Sequence, residues 1–290
     1  MNGHRLPEGG RIDRARPLRF RFNDRSYEGF AGDTLASALL ANGVTLVGRS
    51  FKYHRPRGIF SAGVEEPNAL VQLETGAHTQ PNVKATQVEL YDGLVAHSIN
   101  CWPSVERDWG AVANLCARIL PAGFYYKTFM WPRGFWMRYE YFIRRAAGLG
   151  RAPVLPDPDI YDKMHAHADV LVAGGGPAGL AAALAAGRTG ARVILADQGN
   201  EFGGQLLAER AEIDGAPALD WVGAAVEELR GMPEVRVLPR STVFGYYDHN
   251  FLTIAERLSD HLGPEGARAE PGGKAVRPRQ RLWKVRAKQV

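Results

Sequence analysis

The sequence predicts two fold classes in series, an α+β unit over residues 18–100 and an α/β unit over residues 166–290. Three observations carry this. Two short alternating segments followed by a capped helix open the chain after Pro17. Between Ala168 and Asp197 an apolar run, a glycine-rich turn, an alanine-rich stretch and a second apolar run follow one another. The intervening residues, 101–165, are rich first in aromatics and then in proline, as a helical and linker segment would be.

The elements follow in order. Residues 1–17 read as a basic tail. Leu18 to Phe22 alternates apolar and basic, as a half-exposed strand does. Asn23-Asp24 makes a turn, and Ser26 to Phe30 returns. Asp33 is expected to cap a helix from Thr34 to Asn42, which Gly43 closes. A hairpin followed by a helix is how a β-grasp domain begins. Further strands are expected at Ala69 to Glu74, Thr86 to Leu90 and Leu94 to Ser98.

Between Arg49 and Ala69 the chain is dense in Arg49, Lys52, His54, Arg55 and Arg57. Two readings stand side by side: a loop facing an anion or a partner's acidic surface, and a solvated basic loop. The stretch Phe124 to Phe142 holds ten aromatic residues with Arg and Lys among them. That composition suits packing within the protein or against a partner subunit. Trp131-Pro132 and Gly134 interrupt any long amphipathic helix, which argues against a membrane surface.

Val170 to Ala173 suits a strand buried on both faces. Gly174, Gly175, Gly176, Pro177, Ala178 and Gly179 then form a G-x-G-x-x-G turn. Gly174 permits the tight turn, Gly176 lets a pyrophosphate approach the backbone, and Gly179 lets the helix pack close to the strands. The helix starting there aims its first N–H groups and positive dipole end at phosphates. Gly190 stops it, and Val193 to Ala196 is the second strand. Asp197 ends that strand, eighteen residues past Gly179. A carboxylate there accepts from a ribose 2′-OH and repels a 2′-phosphate, so NAD or FAD is favoured over NADP. Gly203, Gly204 and Gln205 form either a second turn against the dinucleotide or an ordinary loop. A helix from Leu219 to Arg230, a strand at Val235 to Leu238, a hairpin over Ser241 to Thr253 and a final alternating strand from Arg281 complete the unit.

Composition sets bounds. The 290 residues suffice for two domains. No apolar run approaches the ~20 residues that span a bilayer, and the N-terminus has no apolar leader core, so no membrane and a cytoplasmic location are expected. The net charge of +5 comes with no recognised nucleic-acid module, so nucleic acid is not an expected partner. The two cysteines, Cys101 and Cys116, cannot supply the four thiolates of a Cys-ligated cluster. The expectation is therefore no iron–sulfur cluster, no metal site and two free, partly buried thiols.

From Leu18 to Val290 the chain resembles the N-terminal part of the alpha subunit of heterotetrameric sarcosine oxidases. The stretches that carry this are GDTLASALLANGV, RSFKYHRPRGIFSAGVEEPNA, AGFYYKTFMWP, YEYFIRRAAGLG and GGGPAGLAAA. The resemblance implies a ferredoxin-like β-grasp domain, then a Rossmann-type FAD/NAD(P)-binding domain that holds NAD, with FAD as the second choice. Related amine and opine oxidases carry cluster cysteines after the arginine-rich loop. Here that stretch reads Ser61, Ala62, Gly63, Val64, which implies a domain lacking cluster cysteines. The resemblance further implies beta, gamma and delta subunits as partners and FMN at the interface with the beta subunit. Amine oxidation belongs to a flavin on the beta subunit, so no catalytic residue is expected in this chain. The family's folate-binding region and a later dinucleotide-domain strand are absent, so the second unit reads as incomplete at its C-terminal end. A subunit of a related amine, opine or proline dehydrogenase, and a dinucleotide-binding scaffold without a redox role, are the alternatives.

Overall fold

The computed structural model describes residues 4–118, 123, 129–147, 150, 152–268, 270 and 272–290. Phe124, Tyr125 and Tyr126 of the aromatic stretch, and with them most of the AGFYYKTFMWP motif, lie outside the described residues. The chain forms two compact units, Met1–Pro158 and Asp159–Val290.

In the first unit, strand β1 (Asp13–Phe22) pairs antiparallel with β2 (Arg25–Ala31). Asn23 and Asp24, at φ 48° and 65°, make the tight turn between them. β1 begins five residues earlier than expected, so the end of the basic tail is strand. Asp33 does not cap the helix. Thr34 is the N-cap of α1 (Leu35–Ala41) and exchanges hydrogen bonds with Ser37 in a capping box. Asp33 is instead buried, where it takes both forks of the Arg5 guanidinium at 3.1 and 2.7 Å. Three more strands follow: β3 (Leu70–Leu73), β4 (Gln80–Lys84) and β5 (Val95–Ser98). The sheet order is β2-β1-β5-β3-β4, with β1 and β5 parallel. Phe20, Phe22, Leu35, Leu39, Val71 and Leu94 form its core against α1.

The strand expected at Thr86 to Leu90 is not one. Ala85–Gln87 is a short 3-10 turn, and the edge strand precedes it at Gln80–Lys84. The backbone of Val88 and Leu90 is occupied elsewhere. Leu35 N donates to the Val88 carbonyl at 2.8 Å, and Leu90 N donates to the Asp33 carbonyl at 2.9 Å. Helix α2 (Trp136–Ala147) lies in the aromatic segment.

The second unit is a six-stranded sheet with helices. Its elements are β6 (Tyr161–Ala173), α3 (Pro177–Gly187), β7 (Val193–Ala196), α4 (Ala218–Gly231), β8 (Val235–Leu238), β9 (Ser241–Tyr247), β10 (Phe251–Arg257) and β11 (Gln280–Gln289). The order is β8-β7-β6-β11-β10-β9. The first four strands are parallel; β10 pairs antiparallel with β11, and β9 pairs antiparallel with β10. β6 starts inside the expected linker because Tyr161 to Val170 pairs with β11, while its end, Val170 to Ala173, pairs with β7. β7 is buried along its whole length, which is why its sequence is an unbroken Val-Ile-Leu-Ala run. One face packs on α3 and α4 through Leu180, Leu184, Val222 and Leu229. The other carries Leu171, Ile194, Ile254 and Trp283.

Candidate functional site

The candidate site sits where β6 passes into α3. Gly174 leaves the strand at φ +107°, a conformation that side-chain-bearing residues rarely adopt. Its N–H still reaches the Ala196 carbonyl at 2.8 Å, so the turn begins while the two strands are paired. Gly176 caps α3, with Pro177 in the first turn, where a missing N–H costs nothing. The Gly176 carbonyl accepts from Leu180 N at 2.9 Å.

The glycines have different jobs. A Cβ on Gly179 would stand 1.9 Å from the Gly174 carbonyl oxygen, so this glycine sets the distance between helix and strand. A Cβ on Gly175 would run into the Phe202 ring at 2.2 Å. On Gly176 the nearest atom would be the Gly204 Cα at 3.9 Å, and on Gly174 nothing lies within 4 Å. The turn is thus packed behind and open in front, which fits a phosphate at the head of a helix. Ala178 is exposed at that helix start.

Asp197 is tied into the same turn. Its Oδ2 accepts from Gly175 N at 2.6 Å and its Oδ1 from Gly199 N at 2.7 Å. Gly203 and Gly204 lie directly on the first turn. Gly203 N donates to the Gly175 carbonyl at 2.8 Å, and a Cβ on Gly204 would stand 2.9 Å from the Gly176 Cα. Gln205 is exposed in the 3-10 turn Gly204–Leu207 that follows. The structure therefore brings Gly174 to Gly179, Asp197 and Gly203 to Gln205 into one cluster. Sequence reasoning missed two supports of it, Phe202 behind Gly175 and Arg257, whose guanidinium donates to the Gln198 carbonyl at 2.9 Å. Phe202 adjoins the second glycine pair in sequence; Arg257 carries no local signal.

In the first unit the basic loop follows neither of the two readings throughout. Arg49 donates to the carbonyls of Val105, His54 and Glu106. Arg55 donates to Asn114 Oδ1, and His54 Nδ1 sits 2.6 Å from the buried Asp108 carboxylate. These three side chains tie the loop to residues 105–114. Beyond the loop, Glu66 is fully buried and gathers four backbone N–H groups, from Phe60, Ser61, Asn68 and Ala69. Burial pushes its carboxyl upward, but those donors outweigh it and hold it below the usual carboxylate range. Cys101 is free and half-buried; burial, with Asp108 nearby, pushes its thiol up to about 11.

Comparison with known proteins assigns each unit a class. Residues 15–101 match the family described as 2Fe-2S iron-sulfur cluster binding domain, and residues 169–236 match the family described as FAD dependent oxidoreductase. The chain thus carries a ferredoxin-like domain followed by a FAD-dependent oxidoreductase domain. It is 54% identical to the sarcosine oxidase subunit alpha of Rhizobium meliloti (strain 1021) over 98% of its length. It is 40% identical to the subunit of the same name from Corynebacterium sp. (strain U-96) over 97% of its length. It spans only 28% and 24% of those relatives, about a quarter of each. Among solved structures, L-proline dehydrogenase from P. horikoshii matches 97% of this chain and 40% of its own, with a TM-score of 0.52 and 14% identity, a likeness of fold.

These findings correct two expectations. The expected absence of an iron–sulfur cluster is overturned by the match of residues 15–101 to a cluster-binding domain class. Counting thiols tests a ligand set; the domain class is carried by the strand and core pattern around it. The residues present do not complete the usual four-thiolate set, since the matched segment holds one cysteine, Cys101. The described residues hold no group of three or more His, Cys, Asp and Glu side chains suited to a metal ion. The ranking of NAD above FAD is likewise not supported, because the matched class of the second unit is a flavin one. Among the described residues no helix is long and apolar enough to cross a membrane.

Proposed function

We propose that this chain is the dinucleotide-binding portion of a sarcosine oxidase alpha subunit, part of an oxidoreductase acting on CH–NH groups. The observation that supports this is the 54% identity over 98% of the chain to a subunit of that name. The glycine cluster supplies the chemistry. In this reading the second unit is Rossmann-type, and the ligand is an adenine dinucleotide with a free ribose 2′-OH, FAD or NAD.

Gly174 and Gly176 leave room for the pyrophosphate. Pro177, Ala178 and Gly179 start the helix whose dipole faces it. Asp197 keeps lone pairs for the ribose hydroxyl while its two backbone bonds fix its orientation. Gly203, Gly204 and Gln205 form the second wall. When bound, such a group accepts or relays a hydride. The residues named here bind and orient; none of them is placed to take a proton from an amine. The amine chemistry falls to other parts of the assembly, formed with beta, gamma and delta subunits. The reaction proposed for that assembly is oxidative demethylation of sarcosine to glycine, with the one-carbon unit passed to tetrahydrofolate and electrons to oxygen.

The test is amine oxidation by the assembled complex containing this chain, read both as peroxide formation and as reduction of an acceptor dye, with sarcosine, proline and an opine offered in turn. Turnover of sarcosine is expected. Turnover of proline or the opine alone would assign the chain to another amine dehydrogenase.

A further inference from the structure

We propose that the face built by helix α2 and the residues before it is the docking surface for a companion subunit. This rests on the reading of the chain as part of a multi-subunit oxidase. The helix, Trp136–Ala147, carries Trp136, Tyr139 and Ile143 along one side, with Phe142 beside them. That spacing is an amphipathic stripe of the kind that faces a core. Yet none of the residues from Trp136 to Arg145 is buried. Phe142 is 69% exposed and Met137 72%. The approach to the helix is equally bare, with Met130 60% and Trp131 82% exposed.

A helix this short is marginal in water without something to pack on. A patch of this many uncovered large apolar side chains is unusual on a monomer. The occupant is a protein rather than a lipid surface on two grounds. The exposed set is Trp, Met, Phe, Tyr and Arg, the residues enriched at protein interfaces, and Ile143 is the one branched aliphatic among residues 136–145. The curated relatives carry the word subunit in their names. The partner's chemistry follows from charge. Arg133, Arg138, Arg144 and Arg145 stand against Glu140 alone between residues 130 and 147. The matching surface is an apolar patch with an acidic rim.

The test is side-chain footprinting by hydroxyl radicals, on the full alpha chain alone and in the complex assembled with its companion subunits. Trp131, Met137 and Phe142 should be oxidised in the free chain and at least tenfold less in the complex. A second arm co-expresses the companion subunits with Phe142→Asp and with Arg133→Glu/Arg138→Glu. Both changes fall on exposed residues, so circular dichroism should match the unaltered chain while recovery of the complex falls at least tenfold. Equal oxidation in both states, or undiminished assembly of both variants, would overturn the docking surface. Binding of the free chain to phosphatidylserine vesicles, lost in Phe142→Asp while the complex still assembles, would assign the face to a membrane instead. Failure of the unaltered chain to assemble would count against the oxidase reading itself, a result distinct from the others.

Discussion

Gly175 donates its backbone N–H to Oδ2 of Asp197 at 2.6 Å. Through that bond the residue expected to read a ribose holds the turn expected to cradle a pyrophosphate. The two are twenty-two residues apart in sequence and lie just past the ends of β6 and β7, the two strands of one βαβ unit. The second carboxylate oxygen fixes Gly199 in the same way. A carboxylate engaged by two N–H donors is pre-organised, so a sugar hydroxyl would meet it already oriented.

Asp197→Asn should therefore act on the turn as well as on the ligand. The amide retains one acceptor oxygen and presents N–H₂ to the other donor. Amide exchange at Gly175 or Gly199 should rise at least tenfold by hydrogen–deuterium exchange in the assembled protein. Unchanged protection at both positions would show that the carboxylate does not order the turn.

Gly179 and Gly176 should separate packing from binding. Gly179→Ala places a Cβ 1.9 Å from the Gly174 oxygen and should destabilise the second unit by about 1–3 kcal/mol. Gly176→Val, at an ordinary φ of −72°, brings its Cβ only to ordinary contact with the Gly204 Cα at 3.9 Å and should lower the unfolding midpoint much less than Gly179→Ala. Thermal unfolding of both variants without added nucleotide checks this. A large loss of stability in Gly176→Val would mean that the turn is filled by protein rather than open.

Glu66 should be a keystone of the loop beyond the basic stretch. Glu66→Gln turns the acceptor of two of the four N–H groups into a donor, at a cost of roughly 2–4 kcal/mol. Because its folded pKa lies below the unfolded one, its contribution is present above the ordinary carboxylate range and is lost as pH falls through the depressed value. The stability difference between the unaltered protein and Glu66→Gln, followed by denaturant unfolding, should thus shrink below pH 4.5 and be constant from pH 6 to 8. A difference that grows on acidification would contradict the assigned role.

Cys101 should be a sluggish nucleophile. A thiol at about 11 holds far less thiolate at pH 8 than a free cysteine does. Alkylation by iodoacetamide in a Cys116→Ser background should run roughly 100-fold slower than that of a cysteine peptide. Reaction at the peptide's rate would show that the thiol is neither buried nor opposed by Asp108.

Much of the second unit is legible in the sequence because its signals are local. The Val193–Ala196 run, the glycine spacing and the alanine-rich helix each state their own structure. The first unit is less so. Gln80–Lys84 is an edge strand with a proline and with Asn82 at φ 58°, and it lacks the β-branched pattern that Thr86 to Leu90 shows. Which of the two joins the sheet is decided by the contacts of Val88 and Leu90 with the start of α1, and no window of sequence records those. The same holds for Asp33, whose partner Arg5 lies twenty-eight residues away in what read as a basic tail. Arg49, His54 and Arg55 left two readings open, a loop facing an anion or a partner and a solvated basic loop; their carbonyl, carboxylate and amide partners are fifty or more residues off, apart from His54's own carbonyl. The ferredoxin-like class of residues 15–101 was expected from the resemblance; the expected absence of a cluster, which rested on a count of thiols, is what the match to a cluster-binding family overturns.

In the proposed function the turn from Gly174 to Gly179 holds an adenine dinucleotide. The most direct measurement is the nucleotide released by denaturing the assembled complex, identified by mass spectrometry, for the unaltered chain and for Gly176→Val. One equivalent of FAD or NAD per chain should be present in the first and missing from the second, with other released cofactors equal. The same nucleotides in equal amounts from both proteins, or NADP at the site, would contradict it.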